Sequence, residues 1–139
     1  MSEELVRHAG DVLIGGVNYT RRSGQEVAGW CWRDKATGQL ACVAQAHRGN
    51  SNGVVVDLPV DPDGSSDIAC SWHTHPWGAR VAPGPSRQDL RNSELAWVSD
   101  MPHFVLDQHG LWQYSRGRIV KMCPWNHGGT GLEMDRCRS

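Results

Sequence analysis

No stretch of this chain approaches the ~20 consecutive apolar residues that cross a bilayer as a helix, so no membrane partnership is expected. The chain also lacks an excess of charge of either sign. Fourteen basic against fifteen acidic side chains leave a formal charge of −1. That balance removes the electrostatic reason to expect nucleic acid or an anionic surface as partner. Repeats, low-complexity tracts and linkers are missing, and the 139 residues read as one domain, 1–139, long enough to bury a core. The first residues, Met1-Ser2-Glu3-Glu4, lack the basic and apolar regions of a secretory signal. A cytoplasmic location is the expectation, with signal-free export or origin in a larger polypeptide as the alternative.

Cysteine is present five times (Cys31, Cys42, Cys70, Cys123, Cys137), an odd number with irregular spacing. Reduced thiols are therefore expected rather than a disulfide framework. Phenylalanine occurs once, against seven tryptophans. Six of these read as packing residues, whereas Trp77, directly after a His-Pro turn, is expected to line a cleft.

Hydrophobic residues at 39% and charged residues at 21% describe a globular chain. Residues 1–24 are mixed, with Gly15-Gly16 and Arg21–Gly24 read as turns. Strands are expected over 26–33 and 40–47, joined by a hairpin turn at 34–38. A polar connection over 48–67 has the length of a lid or substrate-facing loop. A third strand, 68–75, ends at Pro76, and a Gly/Pro loop leads to a helical stretch over 86–98. A second hairpin (103–107 and 111–115), a strand at 119–122 and a loosely held Gly-rich tail from Pro124 complete the reading. The fold class is α+β, with a mixed, largely antiparallel sheet and flanking helices.

The chemistry concentrates in His73-Thr74-His75-Pro76 and Ser86-Arg87-Gln88-Asp89. Residues i and i+2 of a strand share a face, so His73 and His75 project together while Thr74 points away. By the same parity Ser71 joins the histidines, and Cys70 and Trp72 lie on the other side. Parity thus argues against Cys70 both as a third ligand and as a nucleophile served by either histidine. Ser86 with an acidic residue three positions on also has the form of a helix-capping box. A helix start near the histidine strand would satisfy that role and aim Asp89 at the same point. Two histidines and an aspartate could hold a divalent metal, and three protein ligands leave a fourth position for water.

The two motifs together resemble the JAB/MPN (JAMM) metalloprotease family, whose pattern is an upstream glutamate, His-[Ser/Thr]-His-Pro, a spacer and Ser-x-x-Asp. The resemblance spans roughly residues 25–115 and is nearest to small bacterial JAB-like domains, some of them at the ends of Rhs-type toxin polypeptides. The spacer, residues 77–85, is somewhat longer than is commonest in the family. The resemblance implies a JAB/MPN (cytidine-deaminase-like) architecture, with Zn2+ held by His73, His75 and Asp89. It also implies Glu26 as general base and Ser86 as oxyanion donor. Glu94, Glu3, Glu4 and Glu133 are weaker candidates for the glutamate. The implied activity is hydrolysis of a peptide or lysine isopeptide bond in a protein or peptide substrate, including a ubiquitin-like modifier. A self-processing or toxin-associated peptidase domain and a non-catalytic MPN-like binding module are the alternatives. A zinc deaminase would want a Cys-x-x-Cys pair, and none occurs. Of the other histidines, His109 reads as a solvated turn residue and His103 as structural. Cys123, His127 and Cys137 form a candidate accessory metal site, and Arg21-Arg22 and Arg116-x-Arg118 read as solvated turns.

Overall fold

A computed structural model describes residues 1–44 and 64–139. Its first element is helix α1, Ser2–Ser23, where the sequence suggested turns. Leu5, Ala9, Leu13, Val17 and Thr20 recur every three or four residues and form a buried stripe, the spacing of one helix face. Glu3 and Glu4 sit in the first turn and Arg21 and Arg22 in the last, where each charge complements the helix dipole. Gly15-Gly16 does not break the helix. At Gly16 a Cβ would come within 3.0 Å of the Trp72 ring, so the small residue lets α1 approach the sheet. The helix is capped by Gly24, which takes the left-handed conformation with φ 74°, a capping geometry that favours glycine.

The strands are β1 (Ala28–Asp34), β2 (Leu40–Ala44), β3 (Ser66–Thr74), β4 (His103–Asp107), β5 (Gly110–Ser115) and β6 (Arg118–Pro124). They form one six-stranded sheet in the order β2-β1-β3-β4-β5-β6. Only β3 and β4 run parallel, and every other neighbouring pair is antiparallel. The α+β class is as expected. Between the parallel strands lies helix α2, Arg87–Asn92, much shorter than the helical stretch expected over 86–98. It stops at Ser93, which is buried and whose hydroxyl donates to the Leu90 carbonyl and accepts from Gly117 N–H. Beyond it the backbone makes tighter i to i−3 bonds, as in Glu94 to Arg91 and Leu95 to Asn92.

Strand parity gives the sheet two unlike faces. Cys31, Cys70, Trp72, Phe104 and Leu106 pack against the α1 stripe to make the core. Each fully buried leucine there, such as Leu13, contributes about 1.5–3 kcal/mol. The opposite face carries the row Ala28, His73, Val105 and Trp112 and the row Trp30, Ser71, His103 and Tyr114, paired across β1, β3, β4 and β5.

The cysteine expectation is overturned. Cys31 and Cys42 are direct cross-strand partners on β1 and β2 and form a disulfide. Cys123 and Cys137 form a second, and only Cys70 is a free thiol. The second bridge corrects two further expectations. It removes the Cys123–His127–Cys137 set as a metal site, and it ties down the tail. That tail also pairs Met122 with Arg138 and Trp125 with Leu132, and Trp125 Nε1 donates to Asp107 O at 2.7 Å. The strand expected over 40–47 is described only to Ala44, and most of the connection read as a lid lies outside the described residues.

Candidate metal centre

His73 lies near the end of β3, and His75 immediately follows the strand. As parity requires, they turn to one side while Thr74 between them is fully buried on the other. Thr74 holds the strand end in place. Its hydroxyl pairs with that of Thr20 on α1 and accepts from Val27 N–H at 2.9 Å, and its own N–H donates to Val27 O at 2.9 Å. Residue 27 follows Glu26, so the middle residue of the His-x-His motif also fixes the glutamate's backbone beside the histidines.

Asp89 arrives from the other direction. Ser86 caps α2, accepting from Asp89 N–H at 3.1 Å, and Ser86 N–H donates to Asp89 Oδ2 at 2.9 Å. This is the capping box expected from the sequence. The long spacer is clamped at both ends by the β4–β5 hairpin. Gln108 exchanges two hydrogen bonds with the Gly78 backbone, both at 3.0 Å. Gly84 N–H donates to buried Asp107 at 2.7 Å. The other Asp107 oxygen accepts from His109 N–H, Gly110 N–H and Trp112 Nε1–H. These bonds fix the loop that leads into the start of α2.

The capping geometry and the strand parity meet at one point. His73 Nε2 and His75 Nε2 lie 3.1 Å apart, and Asp89 Oδ2 is 3.2 Å from the first and 3.1 Å from the second. A tetrahedral ion with ligand bonds of about 2.0–2.1 Å spaces its ligands roughly 3.3 Å apart. The triangle fits such an ion on all three edges. Two N–H donors sharing the Asp89 oxygen account for two edges of the triangle, and a shared ion accounts for the third, the 3.1 Å approach of the two imidazole nitrogens. Glu26 closes the set: its carboxylate and the two imidazoles offer atoms within 4.8 Å of one another. Glu26, His73 and His75 are thus a group that could hold a metal ion, with Asp89 completing the triangle.

Burial and charge set the protonation of these groups. Burial would push His75 down, but the Asp89 carboxylate outweighs it and holds the imidazole above the ordinary histidine value. Burial likewise opposes ionisation of Asp89, yet hydrogen bonds from both histidines and from Ser86 N–H keep it far below the usual carboxylate range. Glu26, only 7% exposed, is pushed upward by burial, partly offset by the histidines. That is the direction a general base operating near neutrality needs.

All five candidates line one cleft of about 610 Å³. The other glutamates do not. Glu4 pairs with Arg33 and Glu3 with Lys121, and Glu94 packs beside Gly117. Trp77 does not line the cleft either. It packs against the core with the Arg21 guanidinium 5.1 Å from its ring centre, because the chain turns toward α1 after Pro76. Trp30, Trp72 and Trp97 are the cleft tryptophans. Sequence reasoning missed His103 and Tyr114 as cleft residues. Their signal lies in the parallel register of β3 and β4, which no local motif encodes. No protein-family model and no curated protein sequence matches the chain.

Proposed function

We propose that the chain is a metal-dependent hydrolase that cleaves an amide bond with water. Within that class it is best read as a zinc metallopeptidase or isopeptidase of the JAB/MPN (JAMM) type, acting on a protein or peptide substrate such as a ubiquitin-like modifier. The observation that carries this reading is the triangle of His73, His75 and Asp89, with edges of 3.1 to 3.2 Å and an open fourth side facing the cleft. Two nitrogens and one carboxylate oxygen are a donor set suited to zinc. Bound there, zinc supplies Lewis-acid polarisation of the scissile carbonyl and lowers the pKa of water toward ~7.

The chain's own residues do the rest. Glu26 takes the proton of the attacking water and passes it to the leaving amine. Ser86 Oγ already accepts from Asp89 N–H, so its O–H remains to donate to the carbonyl oxygen as charge builds there. Such a donor typically contributes ~3 kcal/mol. The cleft walls orient the substrate over this group.

A second reading concerns where the enzyme works. Two disulfides suit an oxidising compartment. They favour an exported peptidase, the setting of the toxin-associated alternative, over a cytoplasmic enzyme. Metal analysis of purified wild type beside His73→Ala and Asp89→Ala tests the centre. About one zinc per chain, lost in both variants, is the expected result and would be followed by cleavage assays on ubiquitin-like fusions. A wild type that takes up no metal from a zinc solution would sink the hydrolase reading.

A further inference from the structure

The cleft continues past the metal ligands. One step along the strands from the His73 row lies the row Trp30, Ser71, His103 and Tyr114, each the cross-strand neighbour of the next. Two residues of strand separate the rows by roughly 7 Å, within reach of the next residue or two of an extended substrate.

The polar groups of this row have fixed roles. His103 Nε2 faces the Val98 carbonyl at 3.1 Å. A carbonyl only accepts, so Nε2 carries the proton and Nδ1 presents a lone pair. Ser71 Oγ lies 2.6 Å from Nδ1 and must donate to it. The Tyr114 ring stacks on His103 at 5.4 Å between centroids and keeps the imidazole in this orientation. Burial holds His103 below the ordinary histidine value, in keeping with the neutral tautomer. The Ser71 oxygen is therefore left as an acceptor toward the cleft. The Tyr114 hydroxyl, on a residue only 3% exposed that lines the same cleft, makes no hydrogen bond among the described residues and can donate.

The walls are apolar. Trp97, 56% exposed, packs on Trp30 at 5.9 Å between ring centroids, with Leu95 and Val98 beside it. Among the described residues lining the cleft, the only acidic side chains are Glu26 and Asp89, in the metal centre, and there is no lysine or arginine. An aromatic ring could stack against the tryptophans. A carboxylate tip would meet the Ser71 acceptor with no proton to offer. A plain hydrocarbon tip would leave the remaining Ser71 lone pairs and the Tyr114 hydroxyl without partners.

We infer that this row is a substrate subsite for a tyrosine side chain flanking the scissile bond. Its phenol donates to Ser71 Oγ and accepts from Tyr114, and its ring lies against Trp30 and Trp97. Ser71 is the specificity-determining residue and His103 its positioning residue. The inference rests on the peptidase reading for its biological meaning, but not for its test.

Binding is read without turnover. N-acetyl-tyrosinamide, N-acetyl-phenylalaninamide and the corresponding glutamate amide are titrated into labelled wild-type protein and followed by two-dimensional NMR. The tyrosine probe is expected to bind roughly tenfold more tightly than the phenylalanine probe, since a hydrogen-bonding site discriminates against an analogue lacking the group. Shifts should centre on Ser71, His103 and the Trp97 indole, and the glutamate probe should not bind there. Ser71→Ala and, separately, Tyr114→Phe should bring the tyrosine and phenylalanine probes to within twofold while the spectra stay dispersed. Equal binding of the two probes to wild type, shifts away from this row, no binding, or an unchanged preference in Ser71→Ala would each overturn the subsite. Absence of peptide cleavage by zinc-loaded wild type would instead overturn the proposed function and leave the binding result standing.

Discussion

Strands β1 and β3 position two clusters of potential ligands, back to back. On one face His73 and His75, with Glu26 just ahead of β1, converge in an open cleft. On the other, Cys31, Cys42 and Cys70 bring three sulfurs within 4.8 Å of one another under α1. Alternation along β3 alone sends Cys70 to one face and His73 to the other. Proximity does not separate the clusters, but access and protonation do. The cleft groups polarise one another, so that Asp89 is held as the anion. The sulfur cluster is sealed: Cys31 and Cys42 are joined, and burial pushes the Cys70 thiol up to about 12. One face opens on the cleft, and the other is closed to solvent.

Removing charge from the open face should have the largest effect. Glu26→Gln keeps the size of the side chain and leaves the His73–His75–Asp89 triangle untouched. Zinc content is expected to match wild type, while the rate of peptide cleavage falls about 10²–10⁴-fold, the typical contribution of a positioned base. Steady-state kinetics alongside metal analysis checks both halves. Full activity in this variant would move the base elsewhere.

That the open face was legible in the sequence and the sealed face was not has a physical cause. The residues of the candidate centre are reported by local rules: strand alternation for His73 and His75, and a capping box for Ser86 and Asp89. Each acts within four residues. The Cys31–Cys42 bridge depends instead on hairpin register, which sets cysteines eleven residues apart in sequence directly opposite one another. Helix α1 was hidden because its buried stripe includes Ala9, Gly16 and Thr20, whose small or polar side chains blur the apolar period. Trp77 was misread because direction after a proline turn is a tertiary property. The Ser71–His103 pair was half visible, since parity put Ser71 beside the histidines. Its partner comes from a parallel strand 32 residues on.

Breaking the sealed face should cost stability and spare the metal. Replacing Cys31 and Cys42 together with serine is expected to lower unfolding free energy by about 2–4 kcal/mol in denaturant titrations, with zinc content unchanged. Thiol counting sharpens the contrast. The unfolded, unreduced chain should titrate as one thiol, Cys70, and the native chain as none. At pH 8 a thiol of pKa about 12 is ionised in only about one molecule in ten thousand. Five reactive thiols in the unfolded chain would return the cysteines to the reduced state that their spacing suggested.

The smallest predicted effect is a change of sign with pH. In metal-free protein the folded-state pKa of His75 is raised above the ordinary 6.5 by Asp89. Its stabilising contribution is complete below that ordinary value and is lost as pH rises through the raised one. Glu26, also raised, slopes the same way at lower pH. A metal reverses the dependence, because the imidazole must lose its proton to become a ligand. Zinc affinity should therefore fall as pH drops through the His75 value, by at most about tenfold per pH unit for one competing proton. Thermal unfolding between pH 6.5 and 8, above the range in which the lowered His103 titrates, should show stability declining with pH in chelator and rising with pH in zinc. Parallel slopes in the two conditions would mean that His75 does not exchange its proton for the ion. The Cys70 thiol does not titrate in this interval, so the reversal belongs to the open face.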